Sequence, residues 1–363
     1  MTSPRFATIK KSDPLFLRYL WGEKTDLGRP IPVETLNLGS PEETVTFEFI
    51  SNKQVASVSG LTFFSQFIKL NTFTLILLPL FFVLAKNYVQ DRFNDPFSIF
   101  LAAMAMISLY AGLNIRNDVV DHLTGFDRVN IPFYPKPIQQ GWVSARWADR
   151  ISWSFMIAGG LIAAPIFILQ PELVRVMAVV VGLVILSQIL SKNSYKNNLL
   201  GELTLFLLMG PALVAGYQVS LGAGIDAEVL AFGILWGTVA VFLIHINNFS
   251  HLVTSSQARI KNSMTTMGFD RSRQFIFCWW LMMLILWILF HWFFTTELAS
   301  LMTAIIALAI SVPFLNQLIK IKSPLGSDLL KIRVESLAIV MSLAFMLLVE
   351  FSIAVGTKLT WIH

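Results

Sequence analysis

Charged residues are scarce in this chain: Asp, Glu, Lys and Arg make up 13% of its 363 residues, whereas 55% of the residues are hydrophobic. This balance excludes an ordinary soluble domain and indicates a membrane protein. The single cysteine, Cys278, excludes an internal disulfide and a thiolate metal site built from this chain alone. The sequence also lacks the Gly-Lys-Ser/Thr phosphate loop, the His-Glu-x-x-His pattern and the Gly-x-Ser-x-Gly pattern, so the common nucleotide, zinc-protease and serine-hydrolase sites are excluded.

Long apolar runs dominate what is present. A run of roughly twenty apolar residues crosses a membrane once. Nine such runs occur, at 62–85, 96–116, 150–169, 172–190, 200–220, 229–249, 273–294, 297–319 and 335–356. Each is expected to be a helix, because backbone polar groups in hydrocarbon must bond within their own segment. The predicted fold class is therefore all-α: a polytopic membrane protein with nine transmembrane helices.

The basic residues indicate the orientation. The loops after spans two, four, six and eight carry most of the lysines and arginines, whereas the other loops carry little beyond Lys86 and Arg92. Positive loops mark the cytoplasmic side, which predicts a cytoplasmic N-terminus and an outside C-terminus. The net charge of +5 thus reflects topology, and membrane lipid rather than nucleic acid is the expected partner.

Residues 1–60 form a predicted cytoplasmic extension, and residues 61–363 form the membrane domain. The extension has no signal-peptide pattern, contains short β-type runs such as TVTFEFI, and is too small for a substantial core of its own. A short helix at residues 13–20, lying on the membrane surface, and a plain loop are both compatible with the sequence. The extension is also the candidate contact for a protein partner.

One stretch, NIRNDVVDHLTGFDR (residues 114–128), places acidic residues directly after an apolar span. On a helix, Asn114, Asn117, Asp118 and Asp121 share one face, and we call them the aspartate array. An aspartate costs about 2.5–3.5 kcal/mol at the centre of a membrane span and less near its end, so it is normally kept there for function. Carboxylate and amide oxygens suit Mg²⁺, which one or two carboxylates plus substrate phosphates commonly hold. The alternative is a solvated helix end with arginine partners.

This stretch resembles the first aspartate-rich motif of the UbiA superfamily of intramembrane prenyltransferases. KPIQQGWVS (residues 136–144) is similar to the segment that follows that motif. LLGELTLFLLMGP (residues 199–211) and IKLNTF (residues 68–73) are similar to segments of the dihydroxynaphthoate branch, which makes menaquinone. The resemblance covers residues 62–356. It implies a nine-helix bundle with a central cavity that opens to the cytoplasmic side between spans two and six, and a bacterial inner membrane as the expected location.

The second motif of the family departs from its pattern here. NNFSHLVTSSQARIKNSMTTMG (residues 247–268) fits the expected register, but His251 and Ser255 occupy the two aspartate positions. Family members hold one magnesium ion at each motif, so this loss removes the ligands of one ion. An imidazolium, or the nearby Arg259 and Lys261, offers positive charge instead. Three interpretations stay open: a one-metal enzyme, a protein that binds a prenyl lipid without cleaving it, and an enzyme with a changed donor.

The resemblance implies a set of site residues and a reaction. Asp118 and Asp121 are expected to bind Mg²⁺, with Lys69 as a further catalytic contact to the diphosphate. The expected substrate-binding residues are Asn114, Asn117, Asp127, Arg128, Lys136, Tyr195, Lys196, Glu202, Asn247, Asn248, His251, Ser255 and Lys261. The implied activity is Mg²⁺-assisted transfer of a polyprenyl group from a prenyl diphosphate to an aromatic quinone-precursor acceptor. The alternative is a catalytically impaired member that binds a prenyl lipid, a quinone or a membrane partner.

Overall fold

A computed structural model describes residues 5–51, 55, 57–129, 135–190, 199–258, 260–294, 297–324 and 328–362. Helices account for most of these residues. In chain order they are α1 Leu15–Leu20, α2 Gly60–Phe67, α3 Thr74–Val89, α4 Pro96–Thr124, α5 Phe126–Val129, α6 Ala145–Leu169, α7 Glu172–Leu190, α8 Leu199–Leu207, α9 Leu213–Ser220, α10 Ala227–Ser250, α11 Leu252–Gln257, α12 Ser263–Met267, α13 Phe269–Phe294, α14 Glu297–Lys320 and α15 Asp328–Ile362.

Among the described residues, eight helical segments are long and apolar enough to cross a membrane. They are Leu70–Val89, Pro96–Thr124, Ala145–Leu169, Gly201–Ser220, Ala227–Ser250, Phe269–Phe294, Leu301–Lys320 and Lys331–Lys358. These segments confirm eight of the predicted spans and an integral, multi-pass membrane protein. Helix α7 occupies the remaining run at 172–190, but many of its side chains lie outside the described part of the chain. Nine crossings, the side of each terminus and the central cavity therefore stay predictions.

The N-terminal residues correct the all-α prediction, because they form an antiparallel sheet. Its strands are β1 Arg5–Lys10, β2 Arg29–Leu36 and β3 Thr44–Ile50, in the order β1-β3-β2. The run TVTFEFI is the central strand β3, and its burial alternates residue by residue as one buried face requires. Of the two alternatives that the sequence left open at residues 13–20, a short helix is present, as α1. The small core of this sheet includes Ile9, Phe16, Leu20, Val45 and Phe47.

The chain divides into two compact units. The first contains residues 1–73, 104–162 and 254–260, and the second contains residues 74–103, 163–253 and 261–363. The N-terminal sheet lies in the first unit together with the polar ends of α4 and α6. The boundary expected at residue 60 therefore falls inside a compact unit, and it stays a prediction about where the membrane domain begins.

The first span departs from its predicted bounds. A continuous helix was expected over 62–85, but α2 ends at Phe67, Lys69 has a left-handed backbone with φ +57°, and a 3₁₀ turn leads into α3. A non-glycine residue in this region is strained by about 1–2 kcal/mol. Lys69 thus lies at a break just before the span instead of inside it.

The second unit contains a close helix crossing. A π-helical turn at Leu208–Ala212 joins α8 to α9, and it packs against α10 at Gly233 and Gly237. A Cβ on Gly210 would meet the Gly233 carbonyl oxygen and would lie 2.7 Å from the Gly237 Cα. Small residues at such crossings let helix backbones approach closely in a membrane.

Candidate functional site

The aspartate array lies on α4 as the sequence predicted, because that helix continues to Thr124. The Asn117 side chain donates a hydrogen bond of 3.2 Å to the Asp121 carboxylate. The Asn114 side chain was expected to orient the aspartates, but its amide bonds to the segment around Lys69. Its amide donates to the carbonyl of Ile68 at 2.9 Å and to the side-chain hydroxyl of Thr72 at 3.0 Å, so it contacts residues on both sides of Lys69.

Two lysines converge on the array. Lys69 Nζ lies 2.7 Å from Asp118 Oδ1, and Lys136 Nζ lies 3.1 Å from the same oxygen. Lys136 also contacts Asp121 Oδ2 at 3.6 Å and Asp127 Oδ1 at 2.7 Å. We call Lys69, Asp118, Asp121, Asp127 and Lys136 the carboxylate–lysine cluster. It brings together three stretches of sequence that lie up to 67 positions apart (136 − 69).

Burial gives this cluster unusual electrostatics. Asp118 is 5% exposed and Asp127 is 4% exposed. Burial raises the pKa of Asp127 to about 6, although Lys136 opposes the shift. Burial acts to lower the pKa of Lys136, but the carboxylates of Asp118, Asp127 and Asp121 outweigh it and raise that pKa above its usual range. Lys136 is therefore a firmly held cation.

The charges of the cluster do not balance. Three carboxylates face two ammonium groups, which leaves one net negative charge when every group is ionised. Such a site repels a bare diphosphate but attracts a divalent cation. A bound dication makes the site positive, and a diphosphate is then attracted. Carboxylates alone would bind only the cation, and lysines alone would bind only the phosphate ester. The cluster contains both, so it suits a cation and a phosphate ester bound together.

Arg128 differs from the role that the sequence suggested. It was expected to contact substrate, but its side chain is 2% exposed and its Nη2 atom lies 3.1 Å from Glu43 Oε1 of the N-terminal region. The Glu43 side chain is itself 3% exposed. Arg128 therefore links α5 to the sheet, and it is not one of the groups that meet at Asp118.

The residues of the altered second motif lie mainly in the second unit. Asn247 and Asn248 are half-buried near the end of α10, and His251 directly follows the last residue of this helix. Arg333 of α15 places its Nη1 atom 3.4 Å from His251 Nε2. The structure thus adds an arginine to a motif that has lost its carboxylates.

The remaining predicted site residues are not part of the carboxylate–lysine cluster. Ser255 belongs to the first unit and is 3% exposed, and Lys261 is exposed. Glu202 accepts a hydrogen bond from Ser263 Oγ, and its Oε1 atom is 3.8 Å from His245 Nδ1. Glu202, Ser263 and His245 thus form a polar cluster within the second unit. Tyr195, Lys196 and Arg259 lie outside the described residues.

Four residues that contact the candidate site residues were not predicted from the sequence. Gln139 donates a hydrogen bond to the Asp127 carbonyl, and Glu43, Ser263 and Arg333 pair with residues already named. Gln139 lies three residues after Lys136 in the segment KPIQQGWVS, and this proximity is only a weak indication of a role in the site. The other three are distant in sequence from their partners, so no local spacing marked them. Among the described residues, no group of three or more His, Cys, Asp or Glu side chains is arranged to hold a metal ion on its own.

Comparison with known proteins defines the fold. No protein-family model and no curated protein matches the sequence. A UbiA homolog from Archaeoglobus fulgidus, solved with DMAPP and Mg²⁺, is similar at a TM-score of 0.54 and 14% identity, over 78% of this chain and 98% of that chain. A solved digeranylgeranylglyceryl phosphate synthase is similar at a TM-score of 0.55 and 16% identity, over 80% of this chain and 98% of that chain.

A second structure of the Archaeoglobus fulgidus UbiA homolog, bound to GPP and Mg²⁺, gives a TM-score of 0.53 at 14% identity. It covers 78% of this chain and 99% of that chain. The protein is therefore an integral, multi-pass membrane protein. Within that class, its fold is that of the UbiA homologs. At 14–16% identity this similarity establishes the fold, and any inference about the reaction must rest on the site residues.

Proposed function

We propose that this protein transfers a polyprenyl group from a prenyl diphosphate to an aromatic quinone precursor, with the assistance of Mg²⁺. The observation that carries this proposal is the carboxylate–lysine cluster at the end of the membrane-spanning helix α4. The shared fold supports it, because the similar UbiA homolog was solved with DMAPP and Mg²⁺.

The donor set of the cluster fits Mg²⁺. Asp118 and Asp121 supply hard carboxylate oxygens from successive turns of one helix. Two carboxylates complete a magnesium site when substrate phosphates and water provide the other ligands. The net negative charge of the cluster favours the cation further. When bound, Mg²⁺ supplies charge neutralisation to the leaving diphosphate.

The lysines provide the remaining positive charge. Lys69 and Lys136 are both paired with Asp118, which keeps the two ammonium groups beside the proposed Mg²⁺ ligand. Diphosphate oxygens offer the same lysines a more highly charged partner. During the reaction the bond between the allylic carbon and oxygen breaks, and a carbon of the acceptor ring bonds to that allylic carbon and then loses its proton. The lysines stabilise the negative charge that grows on the departing oxygen.

Asn114, Asn117 and Asp127 hold these groups in place. Asn114 fixes the strained turn that carries Lys69, Asn117 orients Asp121, and Asp127 holds Lys136. Gln139 in turn holds the backbone of Asp127. A network of this kind keeps charged groups oriented before substrate arrives, which is the main source of electrostatic catalysis.

A single metal site is part of the proposal. His251 and Ser255 replace the carboxylates that a second ion requires, whereas Arg333 beside His251 adds a cation at the same motif. An arginine neutralises phosphate directly and presents several donors. Asn247, Asn248, Lys261, Lys196 and Tyr195 complete the proposed substrate contacts on the strength of the resemblance alone.

The acceptor and the location follow from the same resemblance. The segment that contains Glu202 favours a dihydroxynaphthoate-type acceptor, and thus menaquinone biosynthesis. The basic loops favour a site at the cytoplasmic face of a bacterial inner membrane, with the N-terminus inside. Residues 1–60 stay the proposed contact for a protein partner.

The test is turnover of a labelled prenyl diphosphate with Mg²⁺ and 1,4-dihydroxy-2-naphthoate, in lipid nanodiscs. We expect the parent protein to form prenylated product and Asp118→Asn to form none above background. Asp149→Asn is the matched control, since Asp149 pairs with Arg116 outside the cluster. A parent protein that is inert with prenyl diphosphates of several lengths would overturn the proposal.

A non-catalytic prenyl-lipid binder is the second candidate, and the replaced second motif favours it. The variant His251→Asp with Ser255→Asp separates the two candidates. If the parent binds Mg²⁺ and prenyl diphosphate without turnover, and the double variant gains turnover, the protein is a binder. If the parent turns over and the double variant is no better, the single-metal enzyme stands.

A further inference from the structure

The N-terminal sheet contacts the segment that carries the aspartates. His122, on the last turn of α4, donates a hydrogen bond from Nε2 to the Leu20 carbonyl at 2.9 Å. Its neighbour Leu123 packs against the sheet core, which includes Phe16 and Phe47. The end of α4 is thus fixed by both a buried polar bond and apolar packing, one turn after Asp118.

The sheet also contacts the segment that follows Lys136. The backbone N–H of Arg146 donates to the Trp21 carbonyl at 3.2 Å, and its guanidinium lies 2.6 Å from Glu23 Oε1. Arg29 of β2 donates to the Gly141 carbonyl. Both polypeptide segments that supply the cluster after Lys69 are therefore anchored to the N-terminal region, through α1, the turn that follows it and the sheet.

The third contact is the buried pair of Glu43 and Arg128. Glu43 Oε1 faces the guanidinium of Arg128 at 3.1 Å, while Glu43 Oε2 receives Lys11 Nζ at 3.0 Å and the Gly39 N–H at 3.1 Å. Gly125, at φ +86°, leaves room for this guanidinium, because a Cβ there would collide with it. Removing one charge from such a buried pair leaves the other uncompensated, so the pair strongly resists separation.

We propose that Glu43 is a positioning residue for the diphosphate site. Glu43 holds Arg128, and Arg128 fixes α5 in a single orientation. Asp127, the adjacent residue, then keeps Lys136 at 2.7 Å, where it also reaches Asp118 and Asp121. The N-terminal sheet is on this view part of the substrate site. The inference rests on the proposed function for its activity readout, although the structural link does not depend on it.

The experiment compares Glu43→Gln with Glu42→Gln in the full-length protein in nanodiscs. The first substitution nearly preserves the shape of the side chain and removes the charge that faces both Arg128 and Lys11. Glu42 is exposed and serves as the matched control. Three quantities are measured: the fraction of folded protein, KM and kcat for the Mg²⁺ complex of a prenyl diphosphate, and deuterium uptake in peptides covering residues 5–50 and 114–129.

A positioning role predicts a specific pattern. Glu43→Gln raises KM for the diphosphate on the order of tenfold, as loss of a group supporting a metal or phosphate ligand commonly does. It also increases deuterium uptake in residues 114–129, and Glu42→Gln changes neither value. A merely structural role instead lowers the folded fraction and the apparent kcat, leaves KM unchanged and confines the added uptake to residues 5–50. That result overturns the inference.

The two proposals fail in different ways. If the parent protein neither binds nor turns over prenyl diphosphate, the proposed function fails, and the deuterium uptake of residues 114–129 still decides whether Glu43 holds the aspartate segment. If the parent is active and Glu43→Gln behaves like Glu42→Gln in KM and uptake, the positioning role fails alone.

Discussion

Replacement of Asp118 by asparagine is the most direct perturbation of the proposed site. The substitution preserves the shape of the side chain and removes one negative charge, at a position that is 5% exposed. It takes away a proposed Mg²⁺ ligand and the partner of two ammonium groups, Lys69 at 2.7 Å and Lys136 at 3.1 Å. Binding and folding are therefore both affected, and the structure predicts different magnitudes for each.

The effect on catalysis is expected to be the larger. Removing one group that stabilises charge in a water-poor site costs about 10²–10³-fold in rate, or about 2.7–4 kcal/mol. Because Asp118 is a ligand of the single Mg²⁺ ion that we propose, its loss is expected to cost a factor at or beyond the upper end of this range. The measurement is kcat/KM for prenyl diphosphate at saturating acceptor, over a range of Mg²⁺ concentrations. High Mg²⁺ is not expected to restore the parent rate, because the missing oxygen cannot be replaced by more cation.

The effect on stability is expected to be small by comparison. An uncompensated buried charge typically costs about 3–5 kcal/mol. Here Lys136 keeps Asp127 as a partner, and the Lys69 side chain is 25% exposed, so it can turn toward water. We therefore expect a loss of about 1–2 kcal/mol in the free energy of unfolding. If Asp118→Asn keeps kcat/KM within tenfold of the Asp149→Asn control, Asp118 holds no essential ion and the reasoning is refuted.

Three further predictions concern single positions. Asp127→Asn should flatten the pH dependence of the free energy of unfolding. In the folded protein the pKa of Asp127 is about 6, above the ordinary 3.8, so its contribution to the free energy of unfolding is complete below pH 4 and falls by about 3 kcal/mol as the pH rises through 6. Denaturation of the parent and the variant between pH 4 and 7 measures this difference. Gly210→Ala should lower the melting temperature by about 4–8 °C, because the added Cβ meets the backbone near Gly237. Gly216→Ala is the control and should leave the melting temperature unchanged, because a Cβ there meets open space. Equal melting temperatures for the two variants would exclude the close helix crossing. Lys69→Met should reduce kcat/KM about 10–100-fold with normal folding, and an unchanged value in the same turnover assay would remove Lys69 from the site.

Much of the membrane architecture was predictable from the sequence, because the signal is local. A run of apolar residues long enough to span hydrocarbon is expected to be a helix, because its backbone polar groups must bond within the segment. Eight of the predicted spans are present as helices in the described residues. The aspartate array was predictable for the same reason. Asn114, Asn117, Asp118 and Asp121 share a face whenever the helix continues past residue 116, and α4 continues to Thr124.

The sheet and the helix break were harder to predict. Short β-type runs were visible, but a three-stranded sheet needs pairing between residues about forty positions apart, as between Arg5 and Phe49. Propensity alone does not select such a pairing. The break at Lys69 lies within the run 62–85 that was predicted as one helix, and there is no glycine or proline at the break itself. Its cause is tertiary, since the Asn114 side chain donates hydrogen bonds to the Ile68 carbonyl and the Thr72 hydroxyl on either side of the break.

The charged pairs divide in the same way. The sequence identified Lys69, Lys136 and the aspartates as separate candidates, yet it assigned Arg128 to the substrate, whereas the fold pairs Arg128 with Glu43. A buried charge takes whatever opposite charge the packing brings within reach. A partner that lies 85 positions away (128 − 43) leaves no periodicity in the sequence.

The sequence by itself determined that this chain crosses a membrane many times and carries a row of carboxylates at the end of one crossing. Both follow from hydropathy and helical periodicity, which act over about twenty residues. The tertiary structure decided which cations neutralise those carboxylates, which arginine belongs to the sheet and which glutamate holds it. Those choices depend on distances of about 3 Å between residues far apart in the chain, and only the packed fold sets such distances.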